Sequence, residues 1–130
     1  MKLLESIYSW LTKRREHRVE GNRIVLSNES FSFLHGSHIL FDLRGGDVKE
    51  IVAYKENLFG CDSICIGFRT SESDEYFRVF EEAAGYNAML TELENRFPGI
   101  RTDWFNEVAF PAFVPNWTTI WGEPFANKPK

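Results

Sequence analysis

From Arg23 to Phe80 the apolar residues recur with a period of two. They fall in six short runs rich in β-branched and aromatic side chains: Arg23–Leu26, Phe31–Leu34, His38–Leu43, Lys49–Tyr54, Ser63–Phe68 and Tyr76–Phe80. Between them stand turn formers: Asn28-Glu29-Ser30, His35-Gly36-Ser37, Arg44-Gly45-Gly46-Asp47, Gly60-Cys61-Asp62 and Ser71-Glu72-Ser73-Asp74. Parallel neighbours need long crossover connections, and these are too short, so successive strands are expected to pair antiparallel. The meander predicts a curled antiparallel sheet of six or seven strands with one buried face.

The period then changes. Tyr86, Met89, Leu90, Leu93 and Phe97 repeat at helical spacing and Pro98-Gly99 stops them, which predicts a helix over 86–97 covering the sheet. Asp103 is a plausible N-cap for a short turn carrying Trp104, Phe105 and Val108, and Pro115–Trp121 reads as an extended return to the sheet. At the other end, Leu3, Leu4, Ile7, Tyr8, Trp10 and Leu11 share one face of a helical wheel above a basic last turn, an amphipathic N-terminal helix over 1–18. The expected organisation is one α+β domain over 1–130, with its sheet-plus-helix core at 23–121 and a loose tail at 124–130. A pleckstrin-homology-like partial barrel is the specific fold expected. Its core would hold Ile24, Leu26, Phe33, Leu40, Ile51, Ala53, Ile64, Ile66, Phe68, Phe77, Val79, Met89, Leu90, Leu93, Phe97 and Trp104.

Composition enters where function is concerned. The net charge of −4 sits wholly in residues 66–130, since acids and bases balance over 1–65. A phosphate backbone needs a basic face, and apart from Lys13-Arg14-Arg15-Glu16-His17-Arg18 there is none, so nucleic acid is disfavoured as a partner. No segment approaches the roughly 18 apolar residues of a membrane span, and Cys61 and Cys65 stand too far apart along a strand to form a disulfide. Two free thiols fit a cytoplasmic protein.

Motifs with strong chemistry are missing: no nucleophile elbow, P-loop, dinucleotide-binding glycine pattern, zinc-protease helix or paired CxxC occurs. His35 and His38 flank a tight turn, but two imidazoles do not make a zinc site. No catalytic residue, metal ligand or cofactor is therefore assigned. Weaker candidates remain. Glu81 and Glu82 precede the helix, where a carboxylate pressed against Phe80 or Tyr86 would have a raised pKa and could act as acid or base, with Tyr54, Lys55 or a histidine completing a pocket. The densest aromatic stretch runs from Trp104 to Trp121. Its prolines set an extended path over a sheet edge, and its rings either close the core or face outward as an anchor surface, with Phe113 and Trp117 expected to be partly exposed.

Several words of the sequence resemble a family of small bacterial proteins of unassigned function. They are Ile51-Val52-Ala53-Tyr54-Lys55, Asp62-Ser63-Ile64-Cys65, Glu81-Glu82-Ala83-Ala84-Gly85-Tyr86, Phe97-Pro98-Gly99-Ile100, Trp104, Val108-Ala109-Phe110-Pro111-Ala112-Phe113 and Asn116, spanning about residues 38–121. A looser similarity, in size, acidity and sheet-plus-helix layout, is to immunity proteins that neutralise bacterial toxins.

The leading expectation is a non-catalytic protein-binding module, an immunity or adaptor protein. Its acidic half would steer a basic partner, and Phe113, Trp117, Glu81, Glu82, Tyr54 and Lys55 would be its binding residues. The alternatives are a small enzyme using Glu81 or Glu82, and a membrane-peripheral protein anchored by residues 2–18. The sequence leaves the oligomeric state open.

Overall fold

The computed structural model describes residues 22–58, 61–112 and 114–125. The expected helix over 1–18, Phe113 and residues 126–130 of the tail lie outside them. The described chain is α+β. Its strands are β1 (Asn22–Leu26), β2 (Ser30–His35), β3 (His38–Arg44), β4 (Glu50–Leu58), β5 (Cys61–Arg69), β6 (Phe77–Phe80) and β7 (Thr118–Gly122), and its helices are α1 (Tyr86–Arg96) and α2 (Phe105–Ala109).

All strand ladders are antiparallel. They build two sheets rather than one continuous sheet: β1-β2-β3, and β6-β5-β4-β7. The break falls at Gly45-Gly46-Asp47, which winds into a single 3₁₀ turn whose Gly45 N–H donates to Glu29 O at 3.1 Å. That turn ends β3 and redirects the chain, so β4 pairs with β5 and β7.

A single core lies between the sheets. Phe31, Phe33 and Leu43 come from the first, Ile51, Ile64, Ile66 and Phe68 from the second, and Met89 and Leu93 of α1 pack on them. Rings dominate it: Phe31 and Phe68 centroids lie 6.2 Å apart, and Phe33 stacks on Phe41 at 4.3 Å. Phe41 replaces the expected Leu40, which is exposed. A bulge between Phe33 and Leu34 sets the local register, and Phe41 and Leu43, two apart, take the core side of β3. Phe77 also leaves the expected core; it sits on edge strand β6, partly covered by Phe41 at 4.7 Å.

The two central strands depart from the expectation of one buried face. Ile51, Ala53, Ile64, Ile66 and Phe68 face the main core, while Val52, Tyr54 and Cys65 on the opposite face are buried as well. There Trp117, Tyr76 and Phe80 close over them. Gly67 makes room on this face, since a Cβ in its place would stand 2.9 Å from Val52 Cγ2.

Two polar links join the elements. Residue 84 bridges the outer edge of β1, with Ile24 N–H donating to Ala84 O and Ala84 N–H to Asn22 O, each at 2.9 Å. Gly85, next in line, has φ 90° and its missing Cβ would lie 2.9 Å from Ile24 O, so only glycine opens α1 this close to β1. Deeper in, the fully buried Glu50 accepts from Arg69 Nε (3.0 Å), Tyr76 Oη (2.7 Å) and Thr119 Oγ1 (2.6 Å). Arg69 continues to Glu123 O at 2.8 Å. Four separate chain segments thus meet at one satisfied ion pair, and it locks β7 to β4.

Candidate functional site

Lys55, expected as a binding residue, is buried on β4, and its amine is used internally. Its Nζ donates to Ala109 O at 2.8 Å and to Pro111 O, and lies 3.4 Å from the Asp62 carboxylate. Its backbone N–H donates to Pro115 O at 2.8 Å. A buried ammonium must find such acceptors, and carbonyls left open at the end of α2 must find donors. Asn116 adds a second clamp. It occupies the left-handed region (φ 51°), which asparagine tolerates, and its Nδ2 donates to Val108 O at 3.1 Å and Phe110 O at 3.0 Å. The carbonyls of residues 108–111 are therefore all held from within.

What the clamp holds faces outward. Phe110 is 67% exposed, Phe105 54% and Val114 41%. Buried Trp104 and Val108 close the core, so the aromatic stretch divides between the two roles that the sequence left open. Trp117 is half-buried, stacked on Tyr54 at 4.8 Å and edge-on to Tyr76 at 5.0 Å. Asp103 does not cap α2: Trp104 is the N-cap residue and makes no side-chain cap, while Asp103 accepts from Arg101 Nε at 3.1 Å, which holds its carboxyl below the usual range.

The remaining predicted residues separate. Tyr54 and Glu82 lie toward the second face of the four-stranded sheet with Trp117. The Tyr54 hydroxyl accepts from Arg78 Nη1 at 3.4 Å, and Arg78 also reaches Glu56 at 2.9 Å. Glu82 accepts from Ser63 Oγ at 2.9 Å. Burial, with lesser help from the Glu56 charge, pushes the Cys65 thiol up to about 12, and burial likewise lifts Tyr54 to about 12. Both are protonated at neutral pH.

Glu81 turns elsewhere. Its Oε2 accepts the Ile64 N–H at 2.8 Å, and it lines a cavity of about 320 Å³ between α1 and residues 100–105, together with Tyr86, Glu94, Trp104 and Phe105. Tyr54, Lys55, His35 and His38 take no part in that lining. Among the described residues, no group of three or more His, Cys, Asp or Glu could hold a metal ion, and no helix is long and apolar enough to cross a membrane.

Sequence reasoning missed the buried Glu50 and Arg69, the clamp of Lys55 with Asn116, and exposed Phe105 and Phe110. A usable signal existed for the first pair, because a glutamate and an arginine flank apolar runs on successive strands. No family model, curated protein or solved structure matches this chain.

Proposed function

We propose that the protein is a non-catalytic protein-binding module, of the immunity or adaptor kind, whose contact surface is the clamped turn carrying Phe105, Phe110 and Val114. One observation carries this reading: a buried lysine and an asparagine fix four consecutive carbonyls of a turn whose large apolar side chains are exposed. Exposed apolar side chains on a rigid turn bind without the ordering cost that a loose loop incurs, and aromatic anchors supply most of the energy of protein interfaces. The same segment carries Glu107 and lies beside Glu81 and Glu94, so the partner is basic around an apolar centre, consistent with the acidic second half of the chain. Ile39 and Leu40 on β3 are also exposed, but they are not part of the clamped turn, and the groove that Leu40 lines holds Arg23 and Arg78 beside Glu82.

Two finer readings belong to the same proposal. Three strands and four strands around one core, with a helix after β6, suit a pleckstrin-homology-like partial barrel, and a free buried Cys65 suits a reducing cytoplasm. The functional test is capture of a protein from lysate of the source cells by the immobilised full chain at low and moderate salt. A stoichiometric basic partner that weakens as salt rises is expected. A captured set with no stoichiometric protein at either salt would count against the reading.

A further inference from the structure

The cavity beside the clamped turn has a chemistry of its own. At about 320 Å³ it stands at the lower end of the roughly 300–1,000 Å³ range of ligand sites, a size suited to a single long side chain. Tyr86, Trp104 and Phe105 give it aromatic walls, with Trp104 and Phe105 ring centroids 6.1 Å apart. Its carboxylates come from two elements, Glu81 before α1 and Glu94 on it, and neither is in an ion pair among the described residues. Arg101, the one cation of the lining among the described residues, is already held by Asp103 and Glu107. With Arg101 engaged by these two acids, which lie outside the lining, Glu81 and Glu94 are left to meet a further cation.

Resting on the binding-module reading above, we infer that this cleft is a socket for an arginine side chain of the protein partner. A guanidinium is planar and weakly hydrated; it stacks on aromatic faces and offers donors in several directions at once. Glu81 is held in place by the Ile64 N–H, so it meets such a group without reorganising. The compact ammonium of a lysine would gain the charge but not the stacking. Phe105 belongs both to the cleft wall and to the exposed surface, so the arginine would sit at the edge of the apolar contact. Burial first, and the Glu81 and Glu82 charges with it, raise the Tyr86 hydroxyl above its usual value. It remains neutral and can accept a guanidinium N–H.

The test titrates a blocked Gly-Arg-Gly tripeptide into the full chain, followed by amide and indole NMR, alongside the same peptide with citrulline or lysine in place of arginine. Saturable shifts at Tyr86, Asn87, Thr102 and the Trp104 indole are expected for the arginine peptide, with no saturation for citrulline and weaker binding for lysine. Glu81→Gln combined with Glu94→Gln keeps an acceptor for the Ile64 N–H, should melt like the wild type, and should weaken the arginine peptide by about tenfold or more. Equal response to citrulline, or undiminished binding by the double variant, would overturn the socket. A partner captured equally well by wild type and by this double variant sinks the socket and leaves the binding module standing. A bound arginine peptide with no protein captured does the reverse.

Discussion

The molecule uses its aromatic residues in two opposite ways. In the sheets, Phe31, Phe33 and Phe68 lie inside, ring against ring, and hold the layers together. On α2 and the turn after it, Phe105 and Phe110 point out, while polar groups beneath them do the holding. In the first region rigidity is a by-product of burying rings. In the second it is achieved by a buried ammonium and an amide, which leaves the rings free for contact with something else.

The largest expected contrast comes from Phe68→Ala. Removing a fully buried ring of β5 that packs on Phe31 and Phe33 of the other sheet should cost about 3–5 kcal/mol in a denaturant unfolding curve. A loss below about 1 kcal/mol would mean that the core is loosely packed there.

Lys55→Met probes the other mode of holding. It removes the donor that Lys55 offers the Ala109 and Pro111 carbonyls, and its ion pair with Asp62, and should cost about 1–3 kcal/mol. It should also speed hydrogen exchange of the amides of residues 108–116 well beyond that of the strands. Uniform acceleration across the chain would show that Lys55 supports the whole fold rather than the turn.

Alkaline pH sharpens the difference differently. Cys65, ordinarily 9.0, and Tyr54, ordinarily 10.0, are each raised to about 12, so between those values the folded chain holds protons that the unfolded chain has released. The stability they contribute is complete below about pH 9 and drains as pH rises toward 12. Melting temperature should fall over that window and fall less in Cys65→Ala. On a Cys61→Ser background the remaining thiol should react slowly with a disulfide reagent at pH 8 and quickly once unfolded.

The strands and α1 were legible because each is a local pattern: Ser63–Phe68 alternates and Tyr86 to Phe97 repeats at helical spacing, and both lie where the sequence puts them. The division into two sheets was not, because it depends on where β4 finds its partners after a three-residue turn. Leu40 was misplaced for a similar reason, since choosing between it and Phe41 requires the register opposite Phe33. Lys55 and Glu50 illustrate the limit for the site. Each sits in an apolar strand and reads as an exposed charge, and part of the company that buries it, Pro111 for Lys55 and Thr119 for Glu50, comes from more than fifty positions away. Glu81 was singled out for the acidity around it, yet its company in the cleft, Glu94 and Trp104, comes from segments folded back against it.

The central claim is that the clamped turn carries its rings for contact and not for folding. Phe105→Ser with Phe110→Ser in one chain separates these, read by unfolding free energy and by capture of the partner side by side. The account predicts a stability within about 0.5 kcal/mol of wild type and loss of the captured protein. A chain destabilised by several kcal/mol, or one that captures its partner as before, would contradict it.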